Sequence, residues 1–183
     1  MRDFIKTSIG FLRNVSTTGA IVESSSQTQE ELTTFVNKNT PQVIVEFGAG
    51  TGVVTRRILE KMHHLSVLHS FEINDNFAEK IGQIQDRRLH FHHRSADDVD
   101  EVISAPSSVD LIISTVPITI LPAELVRSLT VKGKALLKNG GHFSQLVFSP
   151  IYKRHFKQYF GNCRIVSCLN MPPAFIHHAT KND

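Results

Sequence analysis

The sequence of 183 residues predicts a single α/β domain with a seven-stranded, mostly parallel sheet, helices on both faces and an antiparallel last strand. Three observations support this fold class. Short apolar segments alternate with segments whose apolar residues recur every three or four positions, which is the pattern of strands alternating with helices. A glycine-rich turn at residues 48–52 joins the first strand to a helix. The last two apolar segments are separated by a short connection, which favours antiparallel pairing.

The N-terminal part of the chain, residues 1–38, is predicted to form a helical cap on this domain. Residues 2–14 place their apolar side chains on one helical face. This amphipathic helix either packs across the domain or lies in a membrane interface. Ser26 and Gln29 form a capping box, which predicts a second helix over residues 27–38.

The remaining elements follow in order from the same alternation. Strands are predicted at residues 43–47, 66–72, 89–93, 109–114, 142–148, 164–169 and 175–179. Helices are predicted at residues 53–63, 74–84, 98–104, 121–137 and 151–160. The strand at 109–114 is apolar almost throughout, so we expect it to be central and buried on both faces. Residues 138–141, Lys-Asn-Gly-Gly, predict a turn.

Composition and charge limit the kind of protein and the partners that this sequence indicates. Apolar residues make up 40% of the chain and charged residues 20%, as in a soluble globular domain. The net charge of +3 permits a nucleic acid or an anionic membrane as a partner without requiring either. Two cysteines without a Cys-x-x-Cys pair, and histidines that alternate between strand faces at 90, 92 and 93, predict no metal site. With no long apolar run, the protein is expected to be cytoplasmic, with a peripheral position at the inner membrane as the alternative.

The glycine turn and the acid before it indicate the kind of ligand. Glycines let the backbone reach positive φ and let a ligand lie against it, while the next helix points its amides at the ligand. The spacing is Gly-x-Gly-x-Gly, whereas dinucleotide sites use Gly-x-Gly-x-x-Gly. Glu46, two residues before the first glycine, would repel a pyrophosphate and attract a ligand with an ammonium and a sulfonium. S-adenosyl-L-methionine (SAM) is such a ligand; a glycine turn without a ligand is the alternative.

Residues 46–52, Glu-Phe-Gly-Ala-Gly-Thr-Gly, resemble the first motif of class I SAM-dependent methyltransferases. The resemblance implies a Rossmann-like fold and SAM as the cofactor. It also implies a cofactor site that includes Glu46, Gly48, Ala49, Gly50 and Gly52.

Two further segments complete the expected cofactor site. Glu72, twenty residues beyond Gly52, ends the second strand beside Ile73 and is expected to accept hydrogen bonds from the ribose hydroxyls. Ala96 and Asp97 follow the third strand, where class I methyltransferases commonly hold the adenine amino group. Asp98 is the alternative to Asp97, and an N-cap role for Asp97 in the helix at 98–104 is also open.

Several separate segments resemble a narrower family, the bacterial phosphatidylethanolamine N-methyltransferases. They are residues 11–13, 18–21, 24–25, 114–117 with 121–122, and the Asn-Met-Pro-Pro-Ala segment at 170–174. The chain departs from the family pattern at Glu23, where proline is expected, at Val116, where leucine is expected, and in the Ile-His-His tail at 176–178. A more distant resemblance is to rRNA adenine dimethylases.

The loop after the fourth strand is expected to face the transferable methyl group. Adenine methylases place Asn or Asp, then Pro, then an aromatic residue there, and Ser114, Pro117 and Ile118 lack the aromatic face. Ser114 and Pro117 are therefore candidate catalytic residues, and Ser114 is also a candidate contact to the cofactor. Candidate bases for freeing an amine lone pair are Tyr152 and His177, with His178 as a further one. Arg13, Lys153 and Arg154 could bind a lipid phosphate.

These patterns favour N-methylation of an aminophospholipid head group of the phosphatidylethanolamine type. The alternatives are an rRNA adenine N6-methyltransferase and a non-catalytic SAM-binding module. The expected partners are a phospholipid or other amine substrate and a membrane surface contacted through residues 2–14. Nucleic acid is the less favoured partner.

Overall fold

The computed structural model describes residues 24–182, and within them seven strands form one sheet in the order β3-β2-β1-β4-β5-β7-β6. The strands are β1 Val43–Phe47, β2 Val67–Glu72, β3 Leu89–His93, β4 Val109–Ser114, β5 Leu137–Val147, β6 Arg164–Cys168 and β7 Ala174–Thr180. Among β1 to β5, every pair of neighbouring strands is parallel. β7 is antiparallel to both β5 and β6. The predicted fold class is confirmed.

Helices connect the strands and cover the sheet. They are α1 Ser26–Leu32, α2 Val53–Lys61, α3 Asp75–Gly82, α4 Val99–Val102, α5 Ala123–Leu136 and α6 Lys153–Phe160. Short 3-10 turns, Ala96–Asp98 and Pro150–Tyr152, precede α4 and α6. Most boundaries agree with the sequence patterns within two residues.

Two apolar layers hold the sheet between the helices. One layer packs α4, α5 and α6 against one face of the sheet, with Phe47, Ile112 and Phe143 at its centre. The other packs α1 and α2 against the opposite face around Ile44 and Leu111. The central strand β4 contributes to both layers, as its apolar sequence predicts.

Two predicted elements are corrected by the structure. The helix predicted at 27–38 ends at Leu32, and its cap is Ser25 rather than Ser26, since the Thr28 amide donates to the Ser25 hydroxyl. The turn predicted at 138–141 is wrong, because β5 runs through it with an irregularity opposite β4. The amide of Gly140 donates to the Lys181 carbonyl at 2.8 Å, which keeps this stretch paired.

Some expectations fall outside the part of the chain that the structure describes. These are the amphipathic helix at residues 2–14, the family-like segments 11–13 and 18–21, and the role of Arg13. Within residues 24–182, no helix is both long and apolar enough to cross a membrane.

Two helical glycines provide a matched test of the packing around α5. A Cβ on Gly133 would stand 2.7 Å from Phe143 Cε2 and 3.1 Å from Ile112 Cδ1, whereas a Cβ on Gly82 meets nothing within 4 Å. We expect Gly133→Ala to lower the free energy of unfolding by about 1–2 kcal/mol, because overpacking outweighs the gain in helix propensity. Gly82→Ala should raise it by roughly 0.5–1 kcal/mol. Urea denaturation of both variants measures this, and equal effects at the two sites would contradict the packing described.

Candidate active site

A cavity of about 200 Å³ opens at the carboxyl ends of the parallel strands. Its wall is formed by the turn after β1, the end of β2, the turn after β3, the loop after β4, the start of α5 and the end of β5. Ser24, just before α1, borders it as well. This is the place where open α/β sheets bind ligands.

The turn after β1 exposes its backbone to the cavity. Gly48 and Gly50 have φ values of +78° and +54°, and the amides of Gly48 and Ala49 donate to the Phe71 carbonyl at 2.9 and 3.1 Å. A Cβ on Gly48 would lie 3.2 Å from Val116 Cγ2, so the turn and the loop after β4 approach each other closely. Gly52 packs against Ile81 instead, and it does not line the cavity.

Glu46 lies beneath this turn and is fully buried. The hydroxyls of Ser70 and Thr55 donate to its Oε2 at 2.6 and 2.7 Å, while Oε1 has no hydrogen-bond partner among the described residues. Burial raises the pKa of Glu46 to about 7, against the opposing effect of the two hydroxyls. The side chain is therefore a buried acceptor that a nearby cation would favour in its ionised form, although it does not itself line the cavity.

Glu72 lines the cavity and joins two parts of its wall. Its Oε1 accepts from the amides of Ile73 and Asn74, and its Oε2 accepts from the amide of Gly50, all at 2.8 Å. Each carboxylate oxygen can accept about two hydrogen bonds, so Oε2 can still accept one from a ribose hydroxyl. The link from Glu72 to the Gly50 amide was not foreseen from the sequence, because only the fold brings the ends of β1 and β2 together.

The turn after β3 differs from the expectation. Ala96 lines the cavity and Asp97 does not; the Asp97 carboxylate accepts from the Ser128 hydroxyl at 2.5 Å, with the Lys132 ammonium 3.9 Å away. In this arrangement Oδ1 of Asp97 is held by α5, and Asp97 is not part of the cavity wall. The N-cap role is also absent, since Ser95 caps the 3-10 turn by accepting from the Asp97 amide.

The alternative residue, Asp98, is also engaged, since it pairs with Arg94 at 3.5 Å. Arg94 itself lines the cavity, a position that sequence reasoning missed. No sequence signal distinguished Arg94 from the other basic residues of the chain.

The loop after β4 lines the cavity, but its candidate residue Ser114 does not. Thr115, Val116 and Pro117 line it, whereas Ser114 is buried at the end of β4, paired with Phe47 and Gln145 on the neighbouring strands. The Thr115 hydroxyl donates to the Gly48 carbonyl, and the Gln145 amide group donates to the Val116 carbonyl at 2.9 Å. The first bond holds the loop against the glycine turn, and the second ties it to β5.

None of the three candidate bases lines the cavity. Tyr152 donates its hydroxyl to the Ile118 carbonyl at 2.8 Å and so supports the loop after β4. His177 is fully buried beneath α6, with its Nε2 3.3 Å from the Ser149 carbonyl, and burial lowers its pKa. His178 lies on the opposite face, between Ser144 and Glu31. The side chains of β7 are covered by helices on both faces, which explains why neither histidine reaches the cavity.

The residues present fit SAM. A bare-backbone turn, a buried acid with an unpartnered oxygen and a strand-end carboxylate with spare acceptor capacity match an ammonium and a ribose. Among the described residues, Phe77, Leu125 and Leu129 add apolar wall that could cover a base, and sequence reasoning did not single them out. Within residues 24–182, no group of three or more potential ligands is arranged to hold a metal ion.

Comparison with known proteins identifies the family of the chain. The family model described as methyltransferase small domain matches residues 25–170. The ornithine lipid N-methyltransferase of Singulisphaera acidiphila is 26% identical over 180 residues, which cover 95% of this chain and 94% of that protein.

Solved structures share the fold at low sequence identity. The 1,6-didemethyltoxoflavin-N1-methyltransferase of Burkholderia thailandensis, bound to 1,6-didemethyltoxoflavin and S-adenosylhomocysteine, matches with a TM-score of 0.75 at 14% identity, covering 100% of this chain and 90% of that one. An rRNA methylase from Streptococcus thermophilus matches with a TM-score of 0.63 at 12% identity, covering 89% and 100%. Because the family model covers most of the sequence, this chain belongs to the methyltransferase small domain family and is a SAM-dependent methyltransferase.

Proposed function

We propose that this methyltransferase transfers a methyl group to the amine of a membrane lipid head group, of the phosphatidylethanolamine or ornithine lipid type. The observation that carries the proposal is the mouth of the cavity beside the loop after β4. On this side the cavity wall includes Pro117, Leu146, Phe148 and Ser24, which are apolar or small and carry no charge. The relative that acts on ornithine lipid, aligned along nearly the whole chain, supports the same class of acceptor.

The loop after β4 argues against an adenine as the acceptor. Ile118, at the position where adenine methylases carry an aromatic residue, is only 3% exposed and is absent from the cavity wall. It therefore offers no face on which a base could stack. The rRNA adenine methyltransferase remains as the alternative that the experiment below separates.

For the methyl transfer, the protein mainly has to place the amine next to the methyl group of SAM. Bound SAM supplies an electrophilic methyl group on its sulfonium. Freeing the lone pair of an alkyl amine at neutral pH costs roughly 4–5 kcal/mol, given a pKa similar to that of lysine. Because Tyr152, His177 and His178 do not line the cavity, we infer that the uncharged wall beside the loop after β4 selects the neutral amine by disfavouring the ammonium, which loses its proton to water.

The proposal includes a peripheral position at the membrane. Residues 2–14 are expected to contact the lipid surface, and Lys153 and Arg154, exposed at the start of α6, could bind a head-group phosphate.

Methyl-labelled SAM distinguishes the acceptors. The protein is incubated in parallel with vesicles containing phosphatidylethanolamine, vesicles containing ornithine lipid, vesicles of phosphatidylcholine alone, and ribosomal RNA. We expect label in the lipid extract of one or both amine-containing samples and none in the phosphatidylcholine sample. The two amine samples identify the head group. Label in RNA alone, or in no sample, would remove the lipid proposal.

A further inference from the structure

Exposed large apolar side chains are concentrated at one edge of the described part of the molecule. Five of them lie on three loops, and we call them the apolar rim: Ile120, Phe148, Ile151, Leu169 and Met171. Ile151, Leu169 and Met171 are 72%, 83% and 88% exposed. The other two large apolar side chains that are exposed in residues 24–182, Leu65 and Val131, lie elsewhere, on the α2–β2 connection and on α5.

The sheet topology explains why the three loops meet. β4 and β5 are parallel, and β6 has the same direction as β5 because both are antiparallel to β7. The loops that leave β4, β5 and β6 therefore emerge at the same edge, which is the edge where the cavity opens. The Tyr152 hydroxyl donates to the Ile118 carbonyl, and the Ser25 hydroxyl donates to the Leu169 carbonyl at 2.7 Å, next to Ser24 in the cavity wall.

The charges beside the rim are mostly positive. Lys153, Arg154 and Lys157 are exposed on α6, directly after Ile151. Residues 115–124, 148–157 and 169–173, which carry the rim and these cations, contain a single acid, Glu124. Protruding aliphatic side chains next to lysine and arginine are the features with which a protein surface enters an anionic lipid interface.

We propose that the cavity edge docks on an anionic lipid bilayer through the apolar rim, with Lys153, Arg154 and Lys157 against the head groups. This rests on the proposed function, since docking would hold the cavity mouth at the level of lipid amines. A bilayer fits better than a second copy of the chain, because rim-to-rim pairing would bring two sets of cations together. It fits better than RNA, because the three most exposed rim side chains, Ile151, Leu169 and Met171, are not aromatic and offer no stacking surface.

Vesicle co-sedimentation of the full chain tests the docking. The vesicles contain phosphatidylcholine with phosphatidylglycerol, or phosphatidylcholine alone, so that no substrate amine is present. We expect the combined Ile151→Ser, Leu169→Ser and Met171→Ser variant to lose at least about tenfold in partitioning to the mixed vesicles. The control, Leu65→Ser with Val131→Ser, removes two other exposed apolar side chains, 63% and 46% exposed, away from the rim and should change partitioning by less than about twofold. Lys153→Gln with Arg154→Gln should reduce binding to anionic vesicles roughly tenfold and weaken its salt dependence.

The outcomes separate docking from catalysis. The rim variant should keep wild-type SAM binding and should methylate an amine lipid dispersed in detergent while losing activity on vesicles. Partitioning equal to that of the wild type would overturn the proposal and place membrane contact elsewhere, for example in residues 2–14. A rim-dependent dimer without vesicles, or vesicle binding abolished by competing RNA, would overturn it too. If vesicle binding follows the rim but no lipid is methylated even in detergent, the docking stands and the proposed acceptor fails.

Discussion

Replacing Glu46 by glutamine is expected to weaken SAM binding by at least about tenfold while stabilising the ligand-free protein by up to about 3 kcal/mol at roughly pH 8. Burial raises the pKa of Glu46 to about 7 from its ordinary value of 4.5. A tenfold change in ionisation is worth about 1.36 kcal/mol, so keeping this acid ionised in the folded protein carries a penalty of about 3 kcal/mol. Glutamine can accept from Ser70 and Thr55 as the acid does, and it carries no charge to bury.

The direction of the pH dependence follows from that raised pKa. Between pH 4.5 and about 7 the folded protein binds more protons at Glu46 than the unfolded chain does, so stability falls as the pH rises through this interval. The advantage of Glu46→Gln should therefore be absent below pH 4.5 and complete above about pH 7. Thermal unfolding at a series of pH values measures it, with Glu60→Gln, on the exposed face of α2, as the matched control.

SAM binding, unlike folding, should be favoured by the ionised form of Glu46. A positively charged donor favours the ionised acid, so the wild-type association constant should fall as the pH drops below about 7, by up to roughly tenfold per pH unit. Binding at pH near 7 should release protons, which titration calorimetry in buffers of different ionisation enthalpy detects. The glutamine variant should bind weakly with no such dependence. Wild-type affinity in this variant, with an unchanged pH profile, would show that Glu46 does not interact with the donor.

Local patterns were sufficient for most of the fold. The strands β1, β2 and β4 are largely apolar segments, and β3 alternates apolar residues with histidines. The helices that follow show their own period, so the order and the parallel sheet could be predicted. The prediction around Gly140 was wrong because two adjacent glycines usually indicate a turn. In the structure this stretch is hydrogen-bonded to Lys181, which is distant in sequence. That partner is a product of the sheet topology, and no local pattern reveals it.

Site residues could be predicted from the sequence where they lie in a single turn or at the end of a single strand. The glycine turn and Glu72 line the cavity together, because each position follows from where a parallel strand stops. That Asp97 would lie outside the cavity wall could not be predicted, because its carboxylate contacts Ser128 and Lys132, which come from a distant helix. His177 was a candidate base as part of the Ile-His-His tail, and only the packing of α6 shows that it is buried.

Gly50→Ala is expected to weaken SAM binding roughly ten- to a hundredfold while leaving the protein folded. Gly50 lines the cavity with φ at +54°, and a Cβ built on it meets no protein atom within 4 Å. The added methyl group would therefore stand in the space that the donor needs. The amide that donates to Glu72 is kept, so the wall of the cavity stays connected.

The strain of positive φ has to be separated from the loss of space. Gly140→Ala provides the control, because Gly140 also has positive φ, +76°, and open space around its Cβ position, yet it lies outside the cavity wall. Both substitutions should lower stability by a similar amount, about 1–2 kcal/mol for a residue forced into the left-handed region. Only Gly50→Ala should raise the dissociation constant for SAM in titration calorimetry. Equal affinity in the two variants would mean that the donor does not lie against this turn, and the assignment of Glu46 as its counter-charge would then have no structural basis.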